Sequence, residues 1–164
     1  MTTVVIIEDD QFKQKRIEEA VREIAPGATI VSARSVNSGM ESIEEHNPTC
    51  ILLDMSLTTF DIGPEDAGGR PQNFGGLEVL RQMDRLGLNI PTIVITQHVR
   101  FTKGSDEVKL DVVSQELAHE HPNVFRGLIY YNSAQGQWKS TLRKFILEVF
   151  RQRGNARDDL HPRR

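Results

Sequence analysis

The segment 49–55, Thr-Cys-Ile-Leu-Leu-Asp-Met, constrains this chain more than any other. Its apolar residues run together without alternation, and Asn47-Pro48 bars a helix from entering it. A strand with no polar face must be covered on both sides. That calls for a mostly parallel sheet between two layers of helices. The run also ends on Asp54, and a carboxylate at the mouth of such a strand needs a partner, because an unpaired buried charge is costly.

The rest of the chain supplies the layers. Residues 4–7 (Val-Val-Ile-Ile) read as a first strand, followed by a helix over 12–24 with Ile17, Ala20, Val21 and Ile24 on one face. Pro26-Gly27 closes that helix, and 29–33 is a less apolar strand suited to a sheet edge. A short helix over 37–46 leads to the central strand. Residues 58–75 are rich in Gly, Pro and Asp and carry no period, which predicts a long loop; loops of that length are often functional. A helix over 76–86 aligns Leu77, Leu80 and Met83, and 92–96 forms a fourth strand. Ser105 is placed to cap a helix over 106–119, with Leu110, Val113 and Leu117 on one face. A fifth strand covers 124–131. Trp138, Leu142, Phe145 and Val149 fall at helical spacing in a last helix, with Trp138 and Phe145 in the core. The expected organisation is one domain over 1–151, with insertions near 58–75 and 100–122 and a flexible polar tail over 152–164.

Five strand–helix units in this order predict an α/β fold, a parallel sheet with helices on both faces. Ligands of such sheets bind beyond the carboxyl ends of the strands, where the strand order switches. Glu8, Asp9 and Asp10 follow the first strand. Asp54 ends the third, Thr96 the fourth, and Tyr130-Tyr131-Asn132 the fifth. Carboxylates from adjacent strands repel one another unless a cation lies between them. Mg2+ prefers a few carboxylates and then takes phosphate oxygens. A carboxylate beside Mg2+ can attack a phosphoryl group, and a hydroxyl such as that of Thr96 can hydrogen-bond the oxygens transferred. By itself, Asp10 fits a plain helix cap, Thr96 fits any strand, and the tyrosines fit packing roles.

The motifs VVIIEDD, ILLDMSL and PTIVIT resemble the first, third and fourth strands of response-regulator receiver domains, over roughly residues 3–150. The resemblance implies a flavodoxin-like, doubly wound five-stranded parallel sheet of order 2-1-3-4-5 with helices on both faces, and it implies that Asp54 is the phosphoryl acceptor. It implies Mg2+ held by Glu8, Asp9, Asp54 and the Ser56 backbone carbonyl, with Thr96 as the switch hydroxyl. Gly76-Leu77 matches the start of the third helix of such domains. The donor would be a histidine kinase or phosphotransfer protein, and the output would be docking on a further protein as a stand-alone receiver. Self-phosphorylation and dephosphorylation with Mg2+ would be its only catalysis.

The chain departs from that family in three places. Receivers usually carry a lysine at the end of the fifth strand, followed by proline; here Tyr131 stands there (Tyr130 if the register slips), followed by Asn132. Both insertions are longer than usual. Leu128 also takes the place of a common switching aromatic. Arg70, Arg100 or Lys103 is the expected replacement for the lost charge. The departures leave open a phosphorylation-independent pseudo-receiver that works as a binding module. An aspartate-nucleophile phosphatase fits less well, since its second aspartate would fall at Ser56. Flavin binding fits less well still, because the first loop is acidic where a phosphate needs Gly, Ser or Thr.

Net charge is −3, which leaves no global basic field for nucleic acid. No stretch is long and apolar enough to span a bilayer, and the start of the chain lacks a signal-peptide pattern, so a cytoplasmic protein without membrane contact is expected. The single cysteine, Cys50, reads as a small buried hydrophobe, and the histidines show no metal-ligand spacing. His46, His98, His119 and His121 fall in loops or at helix ends. Homodimerisation is left open.

Overall fold

The computed structural model describes residues 2–59, 75–98, 100–103 and 106–160. Along the chain, β1 (Thr3–Ile7) leads to α1 (Gln11–Ile24), β2 (Thr29–Ala33) to α2 (Val36–His46), and β3 (Cys50–Leu53) to α3 (Gly75–Leu86). β4 (Thr92–Thr96) is followed by a hairpin, β5 (Arg100–Lys103) and β6 (Asp106–Lys109), and by α4 (Leu110–Glu120). β7 (Phe125–Tyr130) and α5 (Gln137–Leu160) complete the chain. The main sheet has the order β2-β1-β3-β4-β7 with every neighbouring pair parallel, which is the expected flavodoxin-like order once β7 is counted as the fifth strand.

Strand alternation sorts the core into two layers. Val5, Ile7, Ile51, Leu53 and Val94 face one side, against Met40 and Ile43 of α2, Leu80 and Met83 of α3, and Val113 and Leu117 of α4. Val4, Ile6, Leu52, Ile93 and Ile95 face the other, against Ile17 and Val21 of α1 and Trp138, Leu142 and Ile146 of α5. Each fully buried aliphatic side chain contributes about 1.5–3 kcal/mol of transfer free energy. Burial on both faces explains why β3 lacks alternation.

Local chemistry fixes the ends near the functional edge. The Asp10 side chain accepts the Lys13 backbone N–H at 2.9 Å and caps α1. Ser35 and Ser38 form a reciprocal capping box on α2. At the start of α3 the glycines are required. A Cβ on Gly75 would lie 2.4 Å from the Leu57 carbonyl oxygen, and one on Gly76 would lie 2.3 Å from that of Asp54. The helix therefore seats directly on the backbone that follows β3.

Two local expectations change. Residues 106–109 pair with 100–103 as an antiparallel hairpin, so α4 begins at Leu110, and Ser105 lies outside the described residues. The polar segment RFTK/DEVK has no apolar period to mark it as a hairpin. The last helix does not end at Arg151 but runs on to Leu160, past Gly154, the weakest helix former of that stretch. His121 lies at the end of α4, as expected of a helix-end histidine; it is buried, and its Nδ1 pairs with the Asp84 carboxylate. Most of the 58–75 loop, including Arg70, lies outside the described residues.

Candidate functional site

The strand order reverses between β1 and β3, since β2 lies on one side of β1 and β3 on the other. The carboxyl ends of these two strands place Glu8, Asp9 and Asp54 together, and their ligand-capable oxygens all lie within 4.8 Å of one another. Glu8 and Asp54 are buried, at 3% and 5% exposure, while Asp9 is half-buried. The Asp54 backbone N–H donates to the Ile7 carbonyl at 3.0 Å, which ties the two strand ends into register. Three carboxylates with one partly open member form a hard oxygen donor set of the kind that suits Mg2+.

A cation already stands among them. Lys13, in the first turn of α1, is only 2% exposed. Its Nζ lies 2.6 Å from Glu8 Oε2 and 3.2 Å from Asp54 Oδ1, and it donates to the Ile95 carbonyl at 2.9 Å. One ammonium thus bridges the ends of β1, β3 and β4, through an ion pair with Glu8 and hydrogen bonds to Asp54 and Ile95. The Asp10 backbone N–H donates to the other Glu8 oxygen at 3.1 Å.

Two buried carboxylates against one lysine leave excess negative charge. Burial pushes the Glu8 carboxyl up to about 8, and the adjacent Lys13 offsets only part of that. Burial raises Asp54 as well, against the pull of Lys13 and of a backbone hydrogen bond from Ser56. The site is short of positive charge, which is the electrostatic condition under which a divalent cation is taken up.

The remaining expected residues lie around this cluster. Thr96 ends β4 fully buried, and its Oγ1 accepts the His98 backbone N–H at 3.1 Å. Ser56 is half-buried in the turn after Asp54. The register pairs Thr96 with Tyr130, which is 41% exposed, while Tyr131 is buried. The Tyr131 ring lies under the Lys13 ammonium at 5.7 Å from its centroid, and it packs on Trp138 at 4.9 Å between ring centroids. Among the described residues, the Tyr131 hydroxyl has no hydrogen-bond partner. Phe12, beside Lys13 in sequence, points out to solvent with Arg16 over its ring.

Lys13 is the site residue that the sequence reading missed. Arg70 lies outside the described residues, and the side chains of Arg100 and Lys103 are not among those described. A signal was present: Lys13 falls four, seven and eight positions before Ile17, Ala20 and Val21, in register with the buried stripe of its helix.

No protein-family model matches the chain. Its sequence is similar to the Detocs response regulatory protein DtcB of Enterobacter cloacae, 26% identical over 148 residues that cover 89% of this chain and 99% of that protein. DtcB of Vibrio alginolyticus is 25% identical over 146 residues, covering 87% and 98%. Among solved structures, the signal receiver domain of a putative Luxo repressor protein from Vibrio parahaemolyticus superposes with a TM-score of 0.68 at 15% identity, covering 99% of this chain and 98% of that one. A response regulator receiver domain protein from Clostridium thermocellum gives 0.64 at 15% identity, covering 95% and 99%. The chain therefore has the fold of a response-regulator receiver domain.

Proposed function

We propose that this chain, with its receiver fold, accepts a phosphoryl group on Asp54 from a histidine kinase or phosphotransfer protein and signals by docking on a further protein. The observation that carries this reading is the approach of Glu8, Asp9 and Asp54 to within 4.8 Å at the point where the strand order switches. Similarity to two DtcB response regulatory proteins over nearly their whole length supports it.

The chemistry follows from the residues. An Asp54 carboxylate oxygen bonds to phosphorus as the phosphorus–nitrogen bond of a donor phosphohistidine breaks. The electron pair leaves with the imidazole, which takes up a proton. Mg2+, held by Glu8, Asp9, Asp54 and the Ser56 carbonyl, would supply positive charge to the phosphoryl oxygens. The Thr96 hydroxyl, at the neighbouring strand end, accepts the His98 N–H with its oxygen and would donate its own O–H to one of those oxygens. Leu128 is half-buried on β7 and offers no aromatic ring to follow that motion.

The test is intact mass after incubation with acetyl phosphate and Mg2+, with Asp54→Asn alongside. The reading requires a gain of one phosphoryl group in the parent and none in the variant. The observation favouring the pseudo-receiver is the Lys13 bridge itself: Glu8 and Asp54 already have a cation, so the site can close without phosphate. An unmodified parent under saturating Mg2+ would select that reading.

A further inference from the structure

We infer that Lys13 is the cation that faces the phosphoryl group on Asp54, so that α1 supplies the charge which receivers usually draw from the end of the last core strand. The inference rests on the phosphoryl-acceptor reading of Asp54.

Three features of the geometry carry it. First, Lys13 Nζ already lies 3.2 Å from Asp54 Oδ1, within reach of any oxygen group attached to that carboxylate. Second, the Ile95 carbonyl holds the ammonium at 2.9 Å, at the end of β4 and next to Thr96. The anchor is backbone on a central strand, so the position of Nζ survives changes in its carboxylate partners. Third, Tyr131 packs its ring against this ammonium instead of pointing a second charge into the site. A lysine at 131 and a lysine at 13 would place two cations at one acceptor, and this chain keeps one.

The donor count fits the transfer. Lys13 Nζ hydrogen-bonds Asp54 and Ile95 and meets Glu8 as an ion pair only, so among the described residues one of its three N–H donors has no hydrogen-bond acceptor. That third N–H would be available to a phosphoryl oxygen on Asp54. As Asp54 bonds to phosphorus and the donor's bond breaks, negative charge builds on the equatorial oxygens, where a fixed ammonium lowers the barrier. Lys13 is a catalytic residue in this sense, since it touches the reacting carboxylate.

The experiment compares the parent with Lys13→Met, Lys13→Gln and the double variant Lys13→Met/Tyr131→Lys. Each is incubated with acetyl phosphate under saturating Mg2+, the phosphorylation rate is read by intact mass, and circular dichroism checks folding. Both single variants should slow phosphorylation by roughly tenfold to a hundredfold, the scale of losing one preorganised donor. The double variant should recover a large part of the rate, because it returns an ammonium to the same space from the strand. Folded single variants that react at the parent rate would overturn the inference and leave the Asp54 reading standing. A parent that takes up no phosphoryl group would overturn both. If Lys13→Met does not fold, Lys13→Gln, which keeps hydrogen-bond donors, decides the matter in the same way.

Discussion

The ammonium of Lys13 lies over the ring of Tyr131, 5.7 Å from its centroid, while the same ammonium hydrogen-bonds Asp54. One supplies the charge and the other the wall. The wall is apolar in practice, because the Tyr131 hydroxyl is buried with no hydrogen-bond partner among the described residues.

Tyr131→Phe should therefore be neutral or stabilising. Removing a buried hydroxyl that makes no hydrogen bond relieves a desolvation cost of about 1–3 kcal/mol. Tyr131→Ala should destabilise by about 3–5 kcal/mol, since it removes the ring that supports Lys13 and Trp138. Urea denaturation followed by the fluorescence of Trp138, the sole tryptophan, measures both.

Lys13 pairs with Glu8 and Asp54, two of the three carboxylates that would hold a divalent cation. Lys13→Met should bind Mg2+ more tightly than the parent by roughly tenfold or more, because two positive charges a few ångström apart repel by kcal/mol amounts. Isothermal titration with MgCl2 reads the difference. Weaker binding in the variant would show that Lys13 organises the carboxylates rather than competing for them.

Gly76→Ala should damage the site. Its Cβ would meet the Asp54 carbonyl oxygen at 2.3 Å, so α3 must retreat or the turn after β3 must shift. The expected loss is about 1–3 kcal/mol of stability, with a slower reaction at Asp54. Gly27→Ala is the control: nothing lies within 4 Å of its Cβ position, and the change should stay within about 0.5 kcal/mol.

Burial pushes the Cys50 thiol from 9.0 up to about 12. At pH 8 the folded protein should not react with a thiol reagent on the time scale on which the denatured chain reacts fully. The sign for stability follows. The folded state holds the proton more firmly, so this contribution is complete below about 9 and declines as pH rises towards about 12. A native thiol titrated at pH 8 without denaturant would contradict the packing of β3.

The sheet was legible because both faces of the central strands are buried, and unbroken runs such as Cys-Ile-Leu-Leu have few other uses. The acidic edge was legible for the same reason: Glu8-Asp9 and Asp54 interrupt apolar runs where strands end. The hairpin was not, since each four-residue strand carries a single apolar residue, Phe101 or Val108, and so has no alternation to mark it. Lys13 was hidden by its surroundings. Among Lys15, Arg16 and Arg22 it reads as one more charge on a solvated helix, and only its phase relative to Ile17 and Val21 sets it apart. His121 was hidden likewise, because its partner Asp84 comes from a different helix.

Successive residues of α1 have opposite duties. Phe12 is 65% exposed and Lys13 is 2% exposed, and one turn of helix carries both. A lysine on a strand is part of the frame, whereas a lysine on a helix moves with whatever moves the helix. A protein that grasped the aromatic handle at position 12 would therefore turn the charge at position 13 by the same motion. The exposed ring of Phe12 and the buried charge beside Asp54 thus sit on two faces of one turn of helix.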